Sequence, residues 1–343
     1  MKIEKIKGLI AAPPTGFLED GSVDYNVVPP LAGHLKKQGV YGVFVNGTTG
    51  EGMSLSTIER EKLAVKWKES LPSEMMLIIH VGHTSLEESI QLTRHAVTSG
   101  ADAVASIAPG FFKPDSIHDV INWCTPIAAA APDLPFYFYH MPSMNGVHLN
   151  IANFIAEAKA RIPNFAGVKY TFETMGDYFE SVRDNPELNI LWGRDEMLLG
   201  ALAMGAEGAV GSIYNIVNPL FLKMIEHFNN SELEEAQKIQ FQIIKLINII
   251  VKGGNFFSSL KGALSLQGVP ILPNTRVPLR TLTQKESERF REDIRDWESR
   301  YGNSFLIFTV DSAGAHNSFS PLPGHARLFR FSYRSSRMCM RSG

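Results

Sequence analysis

Eight short apolar segments separated by amphipathic stretches constrain the fold of this chain more than any other feature of its sequence. Each segment is apolar at consecutive positions, which is typical of parallel strands buried on both faces. The segments cover residues 7–13, 40–47, 75–82, 101–109, 134–142, 165–171, 188–196 and 206–213. Each of the first seven is followed by a stretch with helical apolar spacing, for example 56–70, 85–99 and 151–160.

Seven strand–helix repeats followed by an eighth strand predict a closed (β/α)8 barrel. In this fold every helix joins two neighbouring parallel strands by a right-handed crossover. A doubly wound open sheet is the alternative. It is less favoured, since no glycine-rich dinucleotide-binding sequence follows the first strand.

The pattern changes after Ile213. More helix follows than one barrel position needs, with predicted segments at 218–229, 232–251, 255–266 and 284–301. The last residues are rich in Ser, Arg and Phe and have no sustained apolar period, as is typical of poorly ordered chain. We therefore expect a barrel over residues 1–217, helices packing on it over 218–303, and a poorly ordered tail over 304–343.

The composition argues against several classes of partner. Hydrophobic residues make up 44% of the chain and charged residues 20%, and the formal net charge is −2. This balance predicts no binding to nucleic acid or to a membrane surface, and no stretch approaches the ~20 apolar residues of a membrane span. The two cysteines, Cys124 and Cys339, exclude a disulfide framework and a four-cysteine metal site, and favour a reducing, cytoplasmic setting.

Lys169 is the first candidate for chemistry. It lies in segment 165–171, which is otherwise apolar. A lysine in a low-dielectric site tends to lose its proton, and the neutral amine is a nucleophile toward carbonyl groups. Lys169 is therefore predicted to form a Schiff base. The alternative is a lysine at a strand end whose ammonium reaches water.

The active site of such a barrel lies at the carboxyl ends of the strands. Strand two ends in the loop 46–52, which contains three glycines and the hydroxyls of Thr48 and Thr49. Its backbone N–H groups, its hydroxyls and the helix start that follows favour an anion, and a small carboxylate suits it better than a phosphate. The alternative is an ordinary tight turn.

Strand five ends in Tyr139, which shares a strand face with Tyr137 and lies nearer the carboxyl end. A phenol there can move a proton or orient a carboxylate, although aromatic packing is the alternative. Strand seven ends in Asp195 and Glu196, which are suited to accept hydrogen bonds from a polyol or to begin the next helix. Strand eight contributes Ser212.

His80 and His83 have a spacing that metal ligands use, but no third ligand lies nearby in the sequence. We therefore predict hydrogen-bonded structural roles for both side chains and no metal site.

The motifs GTTGE (47–51), YHMP (139–142) and GVKYT (167–171), in this order on a predicted barrel, resemble the dihydrodipicolinate synthase / N-acetylneuraminate lyase family over about residues 3–300. The resemblance implies that Lys169 forms a Schiff base with a 2-oxo acid and that Tyr139 is the proton donor. It also implies that Thr48 and Thr49 hold the substrate carboxylate and that no cofactor is required.

The segments WGRDE (192–196) and GSIYN (211–215), together with GVKYT, are similar to the branch of that family that cleaves sialic acid. This implies a sugar-binding set of Gly193, Asp195, Glu196, Thr171 and Ser212. The synthases place an arginine where this chain has Met144, and a tyrosine near Phe111 and Phe112. His140 and the first strand (AAPPTGF) also depart from the common pattern and leave the fine substrate preference open.

The resemblance implies reversible cleavage of N-acetylneuraminate to pyruvate and N-acetylmannosamine by a homo-oligomer, specifically a homotetramer. Three alternatives stay open: another Schiff-base aldolase or dehydratase for a different 2-oxo acid, a barrel that binds sugar acids without turnover, and a zinc-dependent aldolase.

Overall fold

The eight apolar segments form eight parallel strands that close into a barrel in chain order. In the computed structural model, which describes residues 5–302, each strand pairs with the next and β1 also pairs with β8. The strands are β1 Leu9–Ala11, β2 Gly42–Val45, β3 Met76–His80, β4 Ala103–Ile107, β5 Phe136–His140, β6 Phe165–Tyr170, β7 Asn189–Trp192 and β8 Ala209–Gly211. The predicted barrel is confirmed, and the open-sheet alternative is wrong.

The helices lie between the strands and after the last one. They are α1 Val28–Lys37, α2 Thr57–Ser70, α3 Leu86–Thr98, α4 Ile117–Ala129, α5 Pro142–Asn145, α6 Ile151–Arg161, α7 Met175–Asp184, α8 Leu198–Ala203, α9 Tyr214–Asn229, α10 Leu233–Lys252, α11 Phe256–Leu266 and α12 Gln284–Tyr301. Local sequence sets several of their starts. The side chains of Ser56 and Glu59, for example, satisfy free N–H groups at the beginning of α2.

The C-terminal helical extension is confirmed, with one change at its start. Helix α9 begins at Tyr214 rather than at 218, and its backbone is non-helical at Val217, two residues before Pro219. Helix α10 packs against α9, α11 and α12. The domain boundary at residue 217 stays a prediction, and the tail over 304–343 lies outside the described residues.

No single helix within residues 5–302 has the length and apolar character to cross a membrane. One bent pair, α10 with α11, meets both criteria by length and composition.

Two apolar layers hold the barrel together. The larger layer lies between the outer faces of the strands and the surrounding helices. The smaller layer fills the barrel interior and consists of Ile6, Ile10, Ala12, Phe44, Ile78, Ala103, Ala105, Ile107, Tyr137, Tyr139, Ala166, Leu191 and Val210. Tyr137 and Tyr139 are both in the interior layer, as the strand alternation predicted.

An extra residue in β6 interrupts the regular pairing of β5 with β6. Phe136 pairs with Phe165, but the next residue of β5, Tyr137, pairs with Gly167. Ala166 is therefore left without a register partner on β5, which is the arrangement of a β-bulge.

This bulge decides which way the side chain of Lys169 points. Successive residues of a strand face opposite sides, so an unbroken strand that places Phe165 in the outer layer would also turn Lys169 outward. After the bulge it is Val168 and Tyr170 that pack in the outer layer. Lys169 is consequently turned toward the barrel interior, where its register partner is Tyr139.

We expect Gly167→Ala to lower the free energy of unfolding by about 2 kcal/mol or more, within the range for a strained backbone position. Gly167 has a φ of +149°, and a Cβ there would lie 2.0 Å from the carbonyl oxygen of Asn189. Urea denaturation followed by circular dichroism measures the change. The control is Gly33→Ala in α1, where nothing lies within 4 Å of the added Cβ. Equal stability of the two variants would contradict the prediction.

Candidate active site

The side chain of Lys169 is buried at the carboxyl end of the barrel, with only 5% of the residue's surface exposed. Its Nζ lies 4.0 Å from the ring centroid of Phe44 and 4.1 Å from that of Tyr139. Among residues 5–302, no carboxylate forms an ion pair with this Nζ. The side chain therefore does not reach solvent as a strand-end lysine would, and aromatic faces are its nearest compensation.

Burial lowers the pKa of Lys169 to about 7, because the charged form loses its hydration. The nearby carboxylate of Asp195 acts in the opposite direction but does not cancel the effect of burial. At neutral pH a large fraction of the side chain is consequently the neutral amine, which is the nucleophilic form.

The phenol of Tyr139 faces the same space as Lys169. Its Oη lies 3.1 Å from Oγ1 of Thr48, and either atom has the chemistry to donate the hydrogen bond. Burial raises the pKa of Tyr139 to about 12, and the hydrogen bond with Thr48 only partly offsets this effect. Tyr139 is therefore protonated at neutral pH and has a proton to donate.

The loop after β2 brings its two threonine hydroxyls to two different neighbours. Thr48 contacts Tyr139, whereas Oγ1 of Thr49 lies 2.7 Å from Oγ of Ser212. A short helical turn, Gly52–Ser54, separates this loop from α2. The helix start that the sequence assigned to the loop is thus several residues away, and Ser56 already caps it. The hydroxyls and the loop backbone are the groups that remain for an anion.

Asp195 holds the end of β8 in place. Its Oδ2 accepts hydrogen bonds from the backbone N–H groups of Ser212 at 2.9 Å and Ile213 at 2.8 Å. A Cβ at Gly211 would lie 1.7 Å from Oδ1, so the carboxylate also requires a glycine there. Burial raises the pKa of Asp195 to about 7. The sequence predicted that Asp195 either begins the next helix or binds a polyol. It did not predict the hydrogen bonds from the backbone at the end of β8.

Glu196 lies at the rim of the site, about one-third exposed, in a cluster of charges. Arg194 pairs with Glu196 at 3.5 Å and with Glu173 from the loop after β6. Behind this rim, a Cβ at Gly193 would lie 2.0 Å from Oγ1 of Thr171, so the glycine allows the two strand ends to approach. Each of the nine residues singled out from the sequence is thus at the carboxyl end of the barrel.

Two residues next to the lysine were not predicted as part of the site: Phe44 was missed, and His80 was given only a structural role. Phe44 forms one wall of the lysine's surroundings, and the alternation of β2 would have predicted its inward direction. The ring of His80 meets that of Tyr139 edge-on at 5.7 Å, and Nδ1 of His80 lies 3.0 Å from the carbonyl oxygen of Asn46. Burial holds the pKa of His80 well below its usual range.

No group of three or more His, Cys, Asp or Glu side chains suited to a metal ion occurs in the part of the chain that the structure describes. His80 bonds to backbone, and Nδ1 of His83 accepts a hydrogen bond from the N–H of Ser85 at 3.0 Å. Both histidines thus have the hydrogen-bonded roles that were predicted.

Exposed apolar side chains lie on the loop after β4 and on the short helix α5 after β5, at the same end of the barrel. Phe111 and Phe112 are 80% and 84% exposed, and Met144 is also exposed. No guanidinium stands at position 144, so this position offers no partner for a second substrate carboxylate.

Comparison with known proteins gives consistent matches over most of the chain. N-acetylneuraminate lyase of Mus musculus is 41% identical over 287 residues, which are 82% of this chain and 89% of the mouse protein. The native structure of N-acetylneuraminate lyase (sialic acid aldolase) from Aliivibrio salmonicida superimposes with a TM-score of 0.84 at 36% identity, covering 89% of this chain and 99% of that one.

A solved catalytic lysine mutant of the sialic acid aldolase from Ruminococcus gnavus has a TM-score of 0.80 at 28% identity, covering 86% of this chain and 97% of that one. The model of the dihydrodipicolinate synthetase family matches residues 5–296. With this match and the barrel and strand-end residues described above, the chain belongs to the dihydrodipicolinate synthetase family.

Proposed function

We propose that this protein is a carbon–carbon lyase that cleaves N-acetylneuraminate reversibly to pyruvate and N-acetylmannosamine through a Schiff base on Lys169. The observation that carries the proposal is the buried Lys169, with a pKa of about 7, facing the phenol of Tyr139. Relatives that carry the name N-acetylneuraminate lyase, and a sialic acid aldolase described as having a catalytic lysine, support the choice of substrate.

The reaction needs an electron sink at C2 of the open-chain substrate. The neutral amine of Lys169 adds to the C2 carbonyl, and loss of water gives a protonated imine. Breaking the C3–C4 bond sends its electron pair into this imine and leaves an enamine of pyruvate, while C4 becomes the aldehyde of N-acetylmannosamine. Protonation of the enamine at C3 and hydrolysis then release pyruvate and restore the amine. The lysine thus supplies the sink, and no cofactor is required.

Tyr139 and the loop threonines would handle the proton and the carboxylate. In the cleavage direction the C4 hydroxyl loses its proton as the aldehyde forms, and Tyr139 is the group that would pass this proton on, with the help of the substrate's own carboxylate. Thr48 would hold that carboxylate and orient Tyr139 at once, since its hydroxyl already contacts the phenol. Thr49 would add the second hydroxyl, and C2 is thereby fixed against the amine.

The sugar chain would extend toward the ends of β6, β7 and β8. Glu196 at the rim is the acceptor best placed for sugar hydroxyls, and Thr171, Gly193 and Ser212 would supply the remaining contacts. Asp195 would act mainly by holding the backbone of Ser212, since one of its oxygens already accepts two N–H groups.

For the assembly we propose a cytoplasmic homo-oligomer, specifically a homotetramer, that acts on small molecules and binds neither nucleic acid nor a membrane. The near-zero net charge supports the absence of strongly charged partners. Pairing of subunits would also give the exposed Phe111 and Phe112 a partner surface.

We expect pyruvate followed by a borohydride quench to label Lys169, with an initial rate about tenfold higher at pH 8 than at pH 6. Burial lowers the pKa of Lys169 to about 7, so the neutral fraction rises through this interval. Rapid mixing and peptide mapping measure the rate and the site. Lys169→Arg is the control, and EDTA should change nothing. Label on another lysine, or a zinc-restored loss of activity with EDTA, would contradict the mechanism.

Tyr139→Phe should lower kcat for N-acetylneuraminate cleavage by ~10²-fold or more, because a positioned acid–base group is lost. Imine formation with pyruvate should persist, since the ring that packs beside Lys169 is retained. Steady-state kinetics and borohydride trapping separate the two effects. Turnover near that of the wild type would mean that Tyr139 only packs.

Glu196→Ala should raise KM for N-acetylneuraminate ~10-fold or more and leave half-saturation by pyruvate unchanged, because sugar hydroxyls lose an acceptor that pyruvate never uses. Glu173→Ala is the matched control, since Glu173 also pairs with Arg194. An equal effect of both variants would assign the result to Arg194.

Faster condensation of pyruvate with aspartate semialdehyde than cleavage of N-acetylneuraminate by the unmodified protein would reject the proposed substrate.

A further inference from the structure

The loop that carries Thr48 and Thr49 is tied to the C-terminal extension by a buried ion pair. Nζ of Lys261, in α11, lies 2.6 Å from Oε1 of Glu51, and both side chains are 0% exposed. The two residues are 210 positions apart in the chain. Nζ of Lys261 also donates to the carbonyl oxygen of Asn274 at 2.6 Å and lies 4.5 Å from the ring centroid of Phe17.

The second oxygen of Glu51 anchors the segment that follows α11. Oε2 accepts a hydrogen bond of 3.0 Å from the backbone N–H of Arg276. The guanidinium of Arg276 in turn donates to both carboxylate oxygens of Glu59, at 2.7 and 2.8 Å, and to the carbonyl oxygen of Ser54 at 2.9 Å. The segment after α11 is thus bonded both to Glu51 and to the chain just beyond the loop.

Glu51 adopts a backbone conformation that glycine would adopt more easily. Its φ is +54° and its ψ is +31°, in the left-handed region. A non-glycine residue persists in this region only where surrounding contacts hold it. The carboxylate makes those contacts, so the side chain and the strained turn belong to one arrangement.

Backbone hydrogen bonds within the turn connect Glu51 directly to the segment that carries the threonines. The N–H of Glu51 donates to the carbonyl oxygen of Thr48 at 2.9 Å, and the N–H of Gly52 donates to that of Gly47 at 3.1 Å. Thr48 in turn contacts Oη of Tyr139. A shift of the Glu51 carboxylate would therefore move the hydroxyl that contacts the phenol and that, in the proposed function, holds the substrate carboxylate.

We infer that Glu51 and Lys261 form a positioning pair that sets Thr48 against Lys169 and Tyr139, so that the C-terminal helices take part in binding the 2-oxo acid carboxylate. This inference rests on the proposed function. A buried ion pair often contributes little net stability, because desolvation of two charges offsets their attraction. Its principal effect here is geometric: it fixes the loop.

The test uses variants that keep both charges but change their reach. Glu51→Asp shortens the carboxylate arm by one methylene, and Lys261→Arg replaces the point charge by a longer planar group. Ile294→Ala, in the buried face of α12, is the control for a loss of stability in the extension that leaves the pair intact. The measurement is the pyruvate concentration that half-saturates borohydride trapping, normalised to folded protein, alongside the melting temperature.

We expect half-saturation to rise about tenfold in Glu51→Asp and in Lys261→Arg, and to stay within twofold of the wild type in Ile294→Ala despite its lower melting temperature. In the double variant, Glu51→Asp with Lys261→Arg, the half-saturating pyruvate concentration should rise by less than the product of the two single increases. The reason is that the longer arginine can reach the shorter aspartate. Single variants that only lower the melting temperature, or additive effects in the double variant, would overturn the inference. If pyruvate and borohydride do not label Lys169 in the wild-type protein, the proposed function is overturned, and this inference is overturned with it.

Discussion

Burial of the Lys169 ammonium is the constraint on which the rest of the site depends. A parallel barrel has its strands covered on both faces, so a lysine turned inward has little contact with water; only 5% of the surface of Lys169 is exposed. Phe44 and Tyr139 offer ring faces at about 4 Å, which compensate a charge only partly. The pKa therefore falls to about 7, so that a large fraction of the side chain is the neutral amine at neutral pH, which is the form that the proposed mechanism needs.

The same burial that lowers the pKa of Lys169 raises the pKa of the acids beside it. Burial raises the pKa of Tyr139 to about 12 and that of Asp195 to about 7, because their charged forms also lose hydration. A protonated phenol thus faces a partly neutral amine. One physical cause thus favours a neutral amine beside a neutral phenol, and these are the forms that the proposed mechanism needs.

Polar side chains buried behind the site hold the strand-end loops through hydrogen bonds and an ion pair. Asp195 fixes the end of β8, and Glu51 with Lys261 fixes the loop after β2. The guanidinium of Arg60, in α2, donates to the carbonyl oxygens of His80, the last residue of β3, and Gly82, just after it, at 2.6 and 2.8 Å. Breaking these buried hydrogen bonds would leave polar groups unpaired, so each of these side chains favours the observed conformation of its loop.

The sequence alone determined the barrel, since eight consecutive-apolar segments with helices between them leave few other arrangements. The nine predicted site residues came from strand-end position together with the family resemblance, which alone supplied Gly193 and Thr171. The tertiary structure decided the direction of Lys169, because the bulge at Ala166 becomes visible only when β5 and β6 are paired. It also decided the partners of Asp195 and Glu51, which lie 17 and 210 residues away. Local periodicity carries no information about such distant contacts, whereas the closed barrel brings these residues together.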